Sequence, residues 1–380
     1  MNILNVNMSL DPVTGGGTAE RTLQISRSLA RAGHQCTILT TDRGLSSDYV
    51  QHCENGGVRL VALPSLWKPF YIPKPSQRLI NKLVADADVV HMMSHWTLIN
   101  IMVYRAVKQL AKSYVVCPAG CLPIFGRYKV LKKLYNHFIG RKIILQADGC
   151  IAISPNEIEH FKSYDIQPSQ VSVIPNGINP DDFPESDGKK FRMRYGIGNA
   201  PLILFLGRLN LIKGPDILLD AFCRCSQDEQ LKAYHLVFAG PDDGMLRELK
   251  QMVEASGIND RVHFTGYIGG DEKADAYRAA DFLAIPSRQE AMSIVVLEAG
   301  ITGTPVLLTD QCGFDDVAAV AGGMVVEASV DGLQEGLLAM AGNPSQLKIM
   351  GQNLEKLTRE HFLWDQMANR HLELFARIMR

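Results

Sequence analysis

At 380 residues the chain exceeds the size at which a single hydrophobic core keeps growing, so two domains are expected. With 46% apolar and 21% charged residues it has ordinary globular composition, which excludes a disordered or fibrous protein. The net charge of −1 conceals an asymmetry: residues 1–170 carry 19 Lys and Arg against 11 Asp and Glu, and the rest carries 20 against 29. Opposite fields suit a protein whose N-terminal half meets an anionic partner, although charge placed for solubility alone gives the same drift.

Short β-rich runs come first at Asn2–Asn7, Cys36–Thr41, Val58–Pro64, Val89–Met93, Tyr114–Pro118, Gly149–Ser154 and Val171–Pro175. Stretches with helical spacing lie between most of them, such as Ala19–Ala32 closed by Gly33. The connection from Leu63 to Asp88 is rich in proline and reads as an irregular loop. A polar segment, Asn176–Asn199, interrupts the alternation. It restarts with Pro201–Gly207, His235–Gly240, Val262–Gly266, Phe282–Pro286, Pro305–Asp310 and Gly322–Glu327. Continuous apolar strands alternating with helices predict parallel sheets covered on both faces. The fold class is therefore α/β, with two Rossmann-like domains facing across a cleft. The expected limits are 1–175 plus 363–380 for the first domain and 176–362 for the second, with a final helix over Trp364–Arg380.

No run of about 18 apolar residues reads as a membrane span. The stretch MNILNVNMSLDP lacks the basic region, apolar core and cleavage site of a signal peptide. Eight cysteines are scattered without a Cys-x-x-Cys pair, so they read as small core residues of a reducing, cytoplasmic compartment.

Three places carry chemistry. Gly15-Gly16-Gly17 stands between the first strand and an amphipathic helix, where bare backbone and a helix N-terminus accept an anion closely. It does not match the G-x-G-x-x-G fingerprint, and a plain turn is the competing reading. Gly207–Gly214 (GRLNLIKG) leaves the first strand of the second series. There Arg208 and Lys213 are placed to neutralise a diphosphate, or simply to be two solvated cations. Pro286–Gly300 holds Glu290 on a loop and a helix beginning near Ser293. The N–H groups of Ser293, Ile294 and Val295 then form a second phosphate seat. Glu298 interrupts an apolar run, and a ribose diol would supply the two donors that a buried carboxylate needs.

In that order and spacing, the glycine loop with Ala32-Gly33-His34, VIPNGI, GRLNLIKG, AGPDDG, PSRQE and the pair Glu290 and Glu298 resemble the landmarks of a GT-B glycosyltransferase of glycosyltransferase family 4. The resemblance implies retaining transfer of a sugar from a nucleotide diphosphate sugar to an acceptor hydroxyl. It implies that Arg208 and Lys213 hold the diphosphate, Glu290 the donor sugar and Glu298 the ribose. Gly16 and Gly17 approach the phosphates from the first domain as the domains close, and the C-terminal helix returns to that domain. No metal site is expected, because the acidic pairs Asp181-Asp182, Asp242-Asp243 and Asp315-Asp316 read as turns and surface charge.

The chain departs from the family at Pro118-Ala119-Gly120-Cys121, where relatives often carry a His. His95 is the candidate for an acceptor-side role, against a structural one beside Trp96. Gly126–Ile144, basic and amphipathic, is read either as a peripheral membrane contact that reaches a lipid-linked glycan acceptor or as a helix with its apolar face in the core. A nucleotide-sugar-binding protein that has lost transfer, a Rossmann oxidoreductase and a GT-B epimerase are the competing functions.

Overall fold

The computed structural model describes residues 1–11, 15–67, 72–124 and 128–379, with nothing stated for the Trp67 side chain. The chain divides into two compact units, Met1–Gly177 with Trp364–Arg380, and Ile178–Leu363.

In the first unit the strands are β1 (Asn2–Val6), β2 (Gln35–Thr41), β3 (Val58–Leu63), a small hairpin of β4 (Ser65–Trp67) and β5 (Ile72–Pro73), then β6 (Val89–Met93), β7 (Tyr114–Cys117), β8 (Gly149–Ala152) and β9 (Val171–Val173). Seven of them form one parallel sheet in the order β3-β2-β1-β6-β7-β8-β9. The order reverses between β1 and β6, where Ile3 pairs with Val89. The antiparallel hairpin lies in the stretch expected to be irregular, and part of that stretch, 68–71, is outside the described residues.

Asn5 lies on β1 and Asn7 just past its end, and neither leaves its amide unpaired. Asn5 Nδ2 donates to Ser26 Oγ at 2.9 Å, and Asn7 Nδ2 donates to Thr22 Oγ1 at 2.8 Å. The polar stripe of the helix Gly16–Arg31 thus faces the sheet, because a buried amide needs a partner more than it needs an apolar neighbour. Arg21, fully buried on the same helix, donates to the carbonyls of Ile174 and Pro175 and to Asn176 Oδ1, and its guanidinium lies 5.8 Å from the Trp364 ring. The C-terminal helix, Trp364–Ile378, packs against Gly16–Arg31. Its Asp365 accepts from Ser28 Oγ at 2.5 Å and from Arg31 at 2.9 Å.

The second unit holds β10 (Leu202–Leu206), β11 (His235–Ala239), β12 (Val262–Gly266), β13 (Phe282–Ile285), β14 (Val306–Thr309) and β15 (Gly323–Val326). All are parallel, in the order β12-β11-β10-β13-β14-β15, so the switch point lies between β10 and β13. In open α/β sheets that is where ligands bind, beyond the carboxyl ends. The core beneath it includes Phe205, Leu218, Phe222, Phe238 and Phe282. No helix among the described residues is long and apolar enough to cross a membrane.

Candidate functional site

At the switch point of the second unit, two loops are locked together by backbone. Gly214 has φ +67 and starts the helix Pro215–Cys225; a Cβ there would lie 2.1 Å from the Pro286 carbonyl oxygen. Arg288 N–H donates to Ile212 O at 2.8 Å. Its guanidinium donates to Leu211 O at 2.8 Å and in a fork to Asp216 at 2.8 and 2.7 Å. The loop after β13 therefore clamps the loop after β10. Arg288 and Asp216 escaped the sequence reading, since nothing in either local pattern pairs residues so far apart.

This clamp brings Lys213 and Glu290 together. Lys213 Nζ lies 2.6 Å from Glu290 Oε1, which also accepts from Ser287 Oγ at 2.6 Å. Their side chains are 28% and 10% exposed, so the pair stands at a wet edge and not deep in the core. Arg208 leaves the same strand but turns elsewhere. It donates to Asp243 Oδ2 at 3.3 Å, an oxygen shared with Asn210 Nδ2 at 2.8 Å. Such an exposed pair is weak and easily exchanged for another anion. The neighbouring Asp242 accepts the N–H groups of Gly244, Met245 and Leu246, and these bonds hold its carboxyl below the usual range. That is a side-chain-stabilised turn ahead of the helix Leu246–Ser256.

The phosphate seat needs correction. The helix is Ile294–Ile301, and Ser293 is its N-cap. Glu290 N–H donates to Gln311 O at 2.9 Å and Ser293 N–H to Cys312 O at 3.2 Å. Ser293 N–H is therefore spent on the adjoining loop. Gly313, at φ +63, keeps that loop close, since its Cβ would lie 2.2 Å from Ala291 O. The first-turn N–H groups of Ile294 and Val295 remain without a backbone partner among the described residues, and the buried Ser293 Oγ has none either.

Glu298 is 4% exposed, but protein donors satisfy it. Lys273 Nζ donates to Oε1 at 2.8 Å and Tyr277 OH to Oε2 at 2.6 Å. Burial, with the carboxylate alongside, pushes the Tyr277 hydroxyl well above its ordinary range. A ribose diol is thus not required to account for the buried charge, although each oxygen keeps a second lone pair. Lys273, which also lies 5.2 Å from the Phe183 ring, and Tyr277 were both missed from sequence.

In the first unit the helix begins at Gly16, not Ala19, so Gly16 and Gly17 lie in its first turn. Gly16 has φ +63, and among the described residues nothing beyond the chain neighbours and the helix's own backbone stands within 4 Å of a Cβ built at Gly16 or Gly17. Residues 12–14 beside them are outside the described residues. Ala119 adopts φ +48, and the following Gly120 N–H donates to Glu157, which also accepts from Ile153 N–H at 2.7 Å. Burial raises the Glu157 carboxyl against those two bonds.

His95 is 1% exposed and enclosed by Trp96, Tyr135 and Tyr164. Its Nε2 meets Asn136 Oδ1 at 2.9 Å, and burial pushes its pKa down to about 4. This is the setting of a neutral packing residue, so the acceptor-side role is withdrawn. All eight cysteines are free, and among the described residues no group of three or more His, Cys, Asp or Glu is arranged to hold a metal.

The model of Glycosyltransferase Family 4 matches residues 15–182, and that of Glycosyl transferases group 1 matches residues 188–357. The chain is 29% identical over 252 residues to D-inositol 3-phosphate glycosyltransferase of Gordonia bronchialis, covering 63% of this chain and 54% of that protein. It is 32% identical over 180 residues to mannosylfructose-phosphate synthase of Agrobacterium fabrum, covering 45% and 39%. The chain thus spans about half the length, or less, of these curated relatives. An uncharacterised glycosyltransferase of Methanocaldococcus jannaschii is 26% identical over 99% of this chain and 98% of its own. Among solved structures, HepE of Anabaena in complex with UDP and glucose superposes with a TM-score of 0.80 at 18% identity over 99% of both chains. WaaG, a glycosyltransferase involved in lipopolysaccharide biosynthesis, superposes at 0.72 and 21% identity over 98% of this chain and 99% of its own. The two parallel Rossmann-like sheets are those of the GT-B class, and the chain belongs to glycosyltransferase family 4.

Proposed function

We propose that the protein is a retaining glycosyltransferase that moves a hexosyl group from a UDP- or GDP-sugar to an acceptor hydroxyl. The acceptor we assign is a glycan or lipid-linked glycan of cell-surface polysaccharide or lipopolysaccharide synthesis, elongated in the cytoplasm. The observation that carries this reading is the Lys213–Glu290 pair, held at the switch point of the second unit on the loop that leads into the helix Ile294–Ile301.

In the proposed reaction the bond between the anomeric carbon and the β-phosphate oxygen breaks, and its electron pair leaves with the diphosphate. The sugar becomes oxocarbenium-like, the acceptor oxygen attacks from the same face, and its proton passes to a phosphate oxygen. Lys213, Arg208 swung from Asp243, and the first-turn N–H groups stabilise the charge that develops on the phosphate. We assign the cationic work to these two side chains and not to a divalent ion. Glu290 accepts from donor-sugar hydroxyls while remaining paired with Lys213. Glu298, fixed by Lys273 and Tyr277, offers its remaining lone pairs to the ribose. Gly16 and Gly17 offer bare backbone to the phosphates.

A thermal-shift screen of the full chain against UDP- and GDP-sugars tests donor binding, since a ligand at 100 times its Kd adds about 2.7 kcal/mol. Transfer or donor hydrolysis by the wild type, lost in Lys213→Ala, is the expected result. Tight binding without turnover toward any acceptor would instead favour a nucleotide-sugar-binding protein, the reading that Ala119 motivates.

A further inference from the structure

Lys213 stands on a stretch of loop that apolar burial does not hold. Leu209 is buried, but Leu211 and Ile212, the two residues before Lys213, are 62% and 43% exposed. Apolar burial therefore anchors the loop near its start and leaves the part that carries the ammonium to polar bonds. Asn210 closes that part on itself. Its backbone carbonyl accepts the N–H groups of Lys213 at 3.1 Å and Gly214 at 3.3 Å, and its Oδ1 accepts the Lys213 N–H at 3.0 Å. A turn closed on itself keeps its shape, but these bonds do not fix where it stands relative to the loop after β13.

Arg288 fixes that. Its bonds bracket Lys213: the carbonyls of Leu211 and Ile212 lie before the lysine, and the forked carboxylate of Asp216, in the first turn of the following helix, lies after it. Arg288 is itself two residues before Glu290. One guanidinium thus sets the spacing of the two groups that meet at 2.6 Å. The fork holds direction as well as distance, because two parallel N–H donors meet the two carboxylate oxygens. The side chains of Arg288 and Asp216 are 32% and 21% exposed, more sheltered than those of Arg208 and Asp243, which share one bond at 3.3 Å.

We propose that Arg288 and Asp216 are positioning residues of the proposed transfer, acting through Lys213 by holding its ammonium against Glu290 and toward the departing diphosphate. The chemistry rests on the transferase reading, whereas the placement of Lys213 does not. A charge that stabilises a leaving group must already stand in place when the bond breaks, and a displacement of about 1 Å costs on the order of a hundredfold in rate. Lysine in place of Arg288 would keep the charge and lose the fork.

Two measurements separate positioning from simple support. The first needs no substrate. Urea unfolding of the full chain, followed by circular dichroism, is compared for the wild type, Lys213→Ala, Glu290→Gln and the double variant, which gives the coupling between the two side chains. The same four are made in an Arg288→Lys background, and again with Asp216→Asn in case the first background does not fold. Without the fork the coupling is expected to fall to near additivity. An undiminished coupling, with all four proteins weakened alike, would make Arg288 a structural residue and overturn the proposal. The second measurement follows hydrolysis of UDP-glucose and GDP-mannose. Arg288→Lys should lower kcat about a hundredfold and leave KM for the donor nearly unchanged. A raised KM with wild-type kcat would instead make Arg288 a ligand of the donor, which also overturns it. If the wild type hydrolyses neither sugar, the transferase reading fails and the coupling alone decides.

Discussion

Lys213→Ala separates a structural cost from a catalytic one. The substitution leaves Glu290, whose side chain is one-tenth exposed, with Ser287 Oγ as its remaining side-chain donor among the described residues. Orphaning one member of a fully buried pair costs about 3–5 kcal/mol. Lys213 is 28% exposed and water reaches its edge of the pair, so the expected loss is nearer 2 kcal/mol. Glu290→Gln keeps the contact with Ser287 and leaves an ammonium that can turn to solvent, so about 1 kcal/mol is expected. In the double variant no carboxylate is orphaned, and its stability should match Glu290→Gln, a coupling of about 2 kcal/mol. Urea unfolding should be followed by circular dichroism, because Trp67, Trp96 and Trp364 all belong to the first unit. Turnover should behave differently: Lys213→Ala and the double variant should both fall by about 10²–10³. Strict additivity in stability, or wild-type turnover in Lys213→Ala, would refute the assignment.

Glu298→Ala should weaken UDP or GDP binding by at least about tenfold in calorimetry, the equivalent of one lost charge-assisted hydrogen bond. An unchanged affinity would remove Glu298 from the ribose site. Gly214→Ala should destabilise the second unit by about 2 kcal/mol or more, from the left-handed backbone and the collision with Pro286 O, and should abolish transfer. A fully active, equally stable variant would show that the clamp yields. Burial lowers the pKa of His91, of His95 to about 4 and of His371 to about 3. The folded chain therefore binds fewer protons than the unfolded chain below pH 6.5. Stability should be complete above that pH and decline as it falls toward about 3, with His95 alone contributing on the order of 3 kcal/mol. Tryptophan-detected urea midpoints that stay constant between neutral and acid pH would contradict this.

Both sheets were legible because a strand buried on two faces must be apolar throughout, as LILFL and FLAI are. That Arg208, Lys213 and Glu290 fall on loops leaving strand ends was legible for a related reason, since the same apolar runs mark where each strand stops. Side-chain partners were not. Lys273 and Tyr277 reach Glu298 from another helix, and Arg288 reaches Asp216 across 72 residues, so both pairings depend on which strands become neighbours. Ser293 illustrates the same limit. A helix N-terminus is visible in sequence, but whether its first N–H faces solvent or the carbonyl of Cys312 is decided by the adjoining loop. The basic segment gave two readings from one pattern, since periodicity marks an apolar face without saying which way the helix is turned.

The first unit is assembled from the beginning and the end of the chain. Trp364, Met367, Leu374 and Phe375 are buried in it, and the His371 ring lies 5.4 Å from that of His91 on β6, tilted to it by 52°. During synthesis, the ribosome must translate all of Ile178–Leu363 before the helix that closes the first sheet exists. Until then the nascent N-terminal half carries an uncovered apolar face and a buried guanidinium without its aromatic lid, so the second unit is free to mature before the first is complete. A premature stop anywhere after residue 177 therefore damages the half that has already been made.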